Sequence, residues 1–197
     1  MIINIRGTSG SGKSTLVRTV MSWYGHKVPI YIKGRKQPIY YKLWLVPDSA
    51  GSSAPDLVVL GHYEATCGGC DTISSTDLMF DLVMEAQMLA THVIFEGLLI
   101  SADVNRVAEL HQTYGAEGLE VMAIDLPLAD CLASVNGRRW AKDPTKEAVN
   151  PKNTESKWKG VQQSMVRLAA LGVNAQFRTR EGCQSRLQEI LLDSAQL

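Results

Sequence analysis

Apolar and polar positions along the chain switch between two periods, and the switches mark out strands and helices. Met1 to Arg6 is a short apolar run that reads as a buried strand. A glycine-rich turn follows, and a helical period then predicts a helix from Lys13 to about Trp23. Pro29 to Lys33 and Ile39 to Val46 are rich in Tyr, Ile and Val and flank Gly34 to Pro38. That predicts a hairpin where a plain strand–helix–strand unit would have none. Asp48 to Pro55 is a Ser/Gly/Pro loop, and Leu57 to Gly61 is another short apolar strand. Ser74 to Asp77 is a helix N-cap region, and the helix after it places Met79, Leu82, Val83, Ala86 and Ala90 on one face. His92 to Phe95 predicts a strand, Asp103 to Tyr114 a helix stopped by Gly115, and Leu119 to Leu126 the next strand. Pro127 suits the first position of a helix running to about Trp140. Lys142 to Thr154 is polar, holds two prolines and reads as a mobile connection. A helix over Glu155 to Leu171 ends at Gly172, Val173 to Arg178 is a last strand, and Gly182 to Ala195 is a closing helix.

Strands alternating with helices predict the α/β class, with a mostly parallel sheet covered by helices on both faces. The 197 residues suit one domain, with an inserted β-hairpin at 26–46 and a lid at about 138–155. An apolar content of 45% and a charged content of 20% exclude a wholly disordered chain. No apolar run approaches the roughly 18 residues of a membrane span. A signal peptide is also missing, since Gly7 to Ser14 is polar where the apolar stretch should continue. The expectation is a cytoplasmic protein with no membrane partner.

Twenty Lys and Arg balance twenty Asp and Glu, yet their distribution is uneven. Residues 1–47 hold eight bases and no acid, residues 61–130 hold twelve acids and one base, and residues 136–160 hold seven bases against three acids. Such asymmetry predicts a basic face and an acidic face, or simply two solvated surfaces. Four cysteines make no disulfide framework in a chain of this size. Cys67 and Cys70 have CxxC spacing without a second pair to complete a zinc site, and read as reduced thiols in a glycine turn.

Gly7-Thr8-Ser9-Gly10-Ser11-Gly12-Lys13-Ser14 matches G-x-x-x-x-G-K-[ST] in full, and Thr15 follows. It lies where the motif must lie, after a strand and opening a helix. Glycines let the backbone curl so that successive N–H groups face phosphate oxygens, and the helix N-terminus adds its dipole. Lys13 would reach the β- and γ-phosphates of ATP, and Ser14 would offer its hydroxyl to Mg²⁺.

A P-loop specifies a nucleotide, not a reaction. A small kinase also needs an acid near the metal, a group to orient the acceptor hydroxyl, and arginines over the transferring phosphoryl. Glu96, ending the apolar run Val93-Ile94-Phe95, suits a metal-bound water or a base. Asp71, in a glycine-rich loop before a helix, suits either an alcohol-orienting base or a turn and capping role. Arg138 and Arg139 suit a lid, or a helix C-terminus that favours positive charge. From His26 to Leu45, Lys33, Arg35, Lys36 and Lys42 interleave with Tyr40 and Tyr41 and no acid intervenes. That set fits the phosphates and unpaired bases of a nucleic acid, or a solvated edge hairpin.

The P-loop, the His62-Tyr63-Glu64 and Cys67-Gly68-Gly69-Cys70-Asp71-Thr72-Ile73 loop, and Phe95-Glu96-Gly97 together resemble the bacteriophage 5-hydroxymethyluracil DNA kinases, P-loop kinases of thymidine hypermodification. Pro127 to Arg139 is similar to the lid helix of the wider nucleotide and polynucleotide kinase group. The resemblance spans about residues 1–180, and the HYE…GGCDTI loop is its discriminating part. It implies ATP-dependent phosphorylation of the 5-hydroxymethyl group of 5-hydroxymethyluracil in phage DNA. The phosphate then serves as leaving group for a later modification that shields the DNA from host nucleases. Under that implication His62 and Glu64 are candidates for reading the base edge, or else for structural hydrogen bonds. A kinase of nucleosides, nucleotides or other small molecules is the alternative, and a nucleotide-dependent switch is a third class.

Overall fold

The protein is described by a computed structural model covering residues 1–46, 54–65 and 68–192. Seven strands form one sheet: β1 (Ile2–Arg6), β2 (His26–Ile30), β3 (Tyr40–Trp44), β4 (Leu57–Leu60), β5 (His92–Glu96), β6 (Leu119–Ile124) and β7 (Asn174–Arg178). Their order is β2-β3-β4-β5-β1-β6-β7. The five strands from β4 to β7 in that order are parallel, and β3 and β2 add to the β4 edge in antiparallel pairings.

The central strands are buried along their whole length and mostly apolar because both faces are covered. On one face Ile2, Val58, Val93 and Val121 pack with Met79, Val83, Val107 and Leu168. These last belong to α2 (Thr76–Leu89), α3 (Asn105–Gly118) and α5 (Pro151–Ala170). On the other face Ile3, Val59, Ile94 and Met122 pack with Leu16, Val20, Leu187 and Ile190 of α1 (Lys13–Met21) and α6 (Arg180–Leu191). Helix α4 (Leu128–Lys142) buries only Cys131 fully and lies across the start of α1: a Cβ on Gly10 would fall 2.3 Å from the Cys131 carbonyl. Among the described residues no helix is long and apolar enough to cross a membrane.

The predicted elements are present, with shifts that have local causes. The first hairpin strand starts at His26, three residues before the expected Pro29, because Val28 and His26 pair with Lys42 and Trp44. Pro29 is tolerated because β2 is an edge strand that needs no N–H there. Pro127 is the N-cap of α4 rather than its first residue, with extended backbone at ψ 145°. Helix α5 starts at Pro151, not Glu155, since the Asn150 side chain caps it and Pro151 fits its first turn. Of the expected lid, 138–142 closes α4, 143–150 is irregular and 151–155 opens α5. Gly115 breaks α3 at φ 72°, yet a short helical piece continues to Gly118. Helix α6 starts at Arg180, because Thr179 Oγ1 accepts from the Gly182 N–H. The loop expected at Asp48 to Pro55 lies mostly outside the described residues, as do Cys67 and the last turn of the closing helix.

Candidate functional site

Strand β1 lies between β5 and β6, so the loop leaving it opens at the carboxyl ends of the parallel strands, where open α/β sheets bind ligands. Just before that loop Arg6 is fully buried and ties the end of β1 to residues 101–103 and to α5. Its guanidinium donates to Asn4 Oδ1 (2.6 Å), Ser101 O (3.2 Å), Ser164 Oγ (3.0 Å) and Asp103 O (2.5 Å). Burial pulls its pKa down to about 10, opposed by Asp103. Four hydrogen bonds satisfy a cation that would otherwise be costly inside a protein. An arginine ending an apolar strand just before a glycine loop was the only sign of this anchor in the sequence.

A cleft of about 90 Å³ is lined by Thr8, Ser9, Gly10, Gly12, Lys13, Ser14 and Thr15, together with Gly68, Asp71, Glu96, Leu98 and Arg138. Most of the P-loop motif therefore meets two carboxylates and one arginine contributed from elsewhere in the chain. Lys13 Nζ donates to Gly7 O (2.7 Å) and Thr8 O (3.3 Å), which fixes the ammonium inside the curl of the loop. Burial lowers its pKa, while Glu96 and Asp71 act to raise it and Arg138 to lower it. The hydroxyls of Thr8 and Ser11 are buried without a hydrogen-bond partner. Buried polar groups are normally paired, so two such donors in a glycine loop fit an anion.

Ser14 Oγ donates to Glu96 Oε1 at 2.7 Å. The pairing of Ile5 with Glu96 across β1 and β5 brings that carboxylate beside the loop. Burial raises the Glu96 pKa, opposed by Lys13 and the Ser14 hydroxyl. No cluster of three or more His, Cys, Asp or Glu side chains suited to a metal exists among the described residues. A hydroxyl and one carboxylate still fit a hard divalent cation that keeps waters and binds largely through substrate phosphates.

The GGCDTI loop is pressed against Glu96. Gly69 sits at φ 86°, and a Cβ there would lie 2.5 Å from Glu96 Oε1, so no larger residue fits without displacing the carboxylate. The Gly69 N–H donates to His62 O (2.9 Å), which closes the loop onto the end of β4. Asp71 lies two residues further on, and its Oδ1 accepts from the Leu98 and Leu99 N–H groups at 2.7 and 3.3 Å. Asp71 thus has a structural partner and also a place in the cleft. Arg138 lines the cleft, whereas Arg139 lines a neighbouring cavity.

The hairpin is divided by the pleat. Arg35 donates to Thr72 O (2.8 Å) and Thr72 Oγ1 (2.7 Å), which ties the hairpin tip to the residue after Asp71. Lys33 and Lys36 are exposed beside it, Lys42 is half-buried, and Tyr40 packs partly against the core. Tyr41 corrects the expectation of a stacking surface, because its ring is fully buried between β4 and α1 residues. Its hydroxyl donates to Glu64 and accepts from the Tyr63 N–H at 3.1 Å. Glu64 therefore serves the loop structurally. Burial favours its protonation, yet the bond from Tyr41 and the backbone bonds hold its pKa below the usual value. His62 is buried as well and presents no open edge to a base. Burial and Arg35 lower its pKa. Arg18, which the sequence did not single out, donates to Tyr63 O (3.0 Å) and Ala65 O and so fastens this loop to α1.

A curated protein of Pseudomonas phage PaMx11, named 5-hmdU DNA kinase, is 47% identical over 190 residues, spanning 96% of both chains. This chain belongs to the 5-hmdU DNA kinase family. No family model matches it. A solved chain from the PezAT toxin–antitoxin system of Streptococcus pneumoniae covers 98% of this chain, with 78% of its own length matched, at a TM-score of 0.46 and 16% identity. That overlap is too low to bear on function. Membership of the kinase family makes the chain a phosphotransferase, with a nucleotide donor and a metal ion implied.

Proposed function

We propose that the chain transfers the γ-phosphoryl group of Mg-ATP to the 5-hydroxymethyl oxygen of 5-hydroxymethyluracil in DNA. The convergence of Lys13, the Ser14–Glu96 pair, Asp71 and Arg138 in one cleft carries this reading, together with the kinship to a phage DNA kinase. Lys13 and the loop N–H groups hold the β- and γ-phosphates. Ser14 and Glu96 would hold Mg²⁺, which when bound offsets charge on the phosphate oxygens. Asp71 Oδ1 is engaged by Leu98 and Leu99, which leaves Oδ2 to take the proton of the acceptor alcohol. The alcohol oxygen bonds to Pγ as the bond from Pγ to the bridging oxygen breaks, and ADP leaves. Arg138 offsets the charge that develops on the transferring group. The base must leave the stack to reach the cleft, at a cost of a few kcal/mol. Under this reading the substrate is phage DNA in the host cytoplasm.

The test is transfer of labelled γ-phosphate to DNA containing 5-hydroxymethyluracil, beside thymine DNA, the free nucleoside and its monophosphate. Label on the modified DNA alone is expected. Label on the free nucleoside or monophosphate would replace this function with that of a small-molecule kinase.

A further inference from the structure

Next to the phosphate cleft lies a second cavity of about 340 Å³, against about 90 Å³ for the cleft itself. That volume falls in the range of roughly 300–1,000 Å³ found for ligand sites. Thr8 and Ser9 of the P-loop border it, together with Arg139 near the end of α4, Asn150, and Asn153 and Lys157 of α5. Asn153 and Lys157 are four residues apart on one helix and share a face. No described aspartate or glutamate lines it. Thr8 is 2% exposed, and its Oγ1 has no hydrogen-bond partner. Two cations, two amides and an unpaired hydroxyl with no acid form a site for a phosphate ester.

The two cavities share Thr8 and Ser9 of the P-loop, and only the cleft reaches the start of α1. Ser14 and Thr15, at the start of α1, line the cleft alone, while Thr8 and Ser9 line both. The donor's phosphates are drawn to the helix start by its N–H groups and dipole. The second cavity lacks Lys13, Ser14 and Thr15, so a phosphate there lies away from the helix start and is assigned to a different molecule. We infer that this cavity takes a phosphodiester of the acceptor DNA strand, held by Arg139 and Lys157. The inference rests on the DNA-acceptor reading above and assigns Arg139 to the strand, not to the transferring phosphoryl. A strand gripped here lies beside Ser9 and Thr8, within the span of the same loop that holds the reacting phosphate. The cavity thus fixes the nucleotide whose base has left the stack.

Lys157 is exposed, so Lys157→Gln should leave the fold intact, which a melting curve checks. The probe is a fluorescein-labelled oligonucleotide carrying one 5-hydroxymethyluracil, with its Kd measured by anisotropy across a salt series. The variant should raise Kd about tenfold at low salt and reduce the slope of log K against log salt by about one. The Kd for ATP should stay within about twofold of wild type. Unchanged DNA affinity and salt slope would overturn the inference. So would weakened ATP binding, which assigns the cavity to the donor, or weakened binding of 5-hydroxymethyl-dUMP with DNA binding untouched, which assigns it to a free nucleotide. The two readings fail separately. Phosphoryl transfer to DNA with an unaltered variant Kd removes the cavity and keeps the acceptor. DNA binding that depends on Lys157 without any transfer removes the acceptor and keeps the cavity.

Discussion

One wall of the cleft comes from a single stretch, Thr8 to Thr15, while the rest, a second wall, is assembled from Gly68, Asp71, Glu96, Leu98 and Arg138. The first wall works through backbone geometry: a curl of N–H groups, a helix start and one lysine held by loop carbonyls. The second works through contacts between segments. Gly69 packs on Glu96, Asp71 holds the Leu98–Leu99 turn, and Arg35 holds Thr72. A contiguous motif keeps its shape wherever a strand feeds a helix, so its role is common to many nucleotide-binding proteins. An assembled wall exists only when the whole sheet is in register, and under the proposed function this is the wall that orients the acceptor.

The largest effect that separates the walls is expected from Lys13→Ala. Loss of one charge aimed at the reacting phosphates should lower kcat about 10²–10³-fold. A drop below tenfold would mean that Lys13 is not aimed at those phosphates. Asp71→Asn probes the assembled wall. An amide oxygen still accepts from Leu98 and Leu99, so a purely structural role predicts near-normal kcat, whereas a proton acceptor predicts a fall of about 10²-fold or more. Steady-state kinetics with saturating DNA decide between them.

A smaller effect is expected at the hairpin tip. Arg35→Ala removes two exposed hydrogen bonds to Thr72 and should cost no more than about 1 kcal/mol of stability. Its mark should be a KM for DNA raised a few-fold with kcat nearly unchanged. An unchanged KM would detach the hairpin from the acceptor side. A last effect, on stability rather than on turnover, lies away from both walls. Burial and the nearby N-terminal ammonium push His92 from 6.5 down to about 4, with Asp56 opposing. The unfolded chain therefore binds this proton first, and stability falls as pH drops from 6.5 toward 4. His62 acts in the same direction. His92→Gln should flatten part of that slope in urea titrations, and an identical slope would show that His92 is not the group responsible.

Much of the fold was legible in the sequence because it follows from local rules. Apolar runs between amphipathic helices specify a covered parallel sheet, and Ser75 marks a helix start through capping, whereas Pro151, read as part of a mobile connection, opens α5 four residues before the expected Glu155. The P-loop was legible in every position, and Glu96 at the end of its strand was nearly so. The aromatic residues of the hairpin were not. Tyr40 and Tyr41 are equivalent in composition, and only the pairing of Tyr41 with Val59 decides that it points into the core.

Residues close together in the chain were enough to set the α/β class and the P-loop motif with its lysine, because each is a local property of the sequence. Tertiary structure alone decided that Glu64 would serve Tyr41, that Arg6 would be buried at the end of β1, and that Arg138 and Arg139 would face different cavities. The physical reason is the same for all three. A side chain's partners are set by strand register and helix packing, which bring together groups that the linear order keeps far apart.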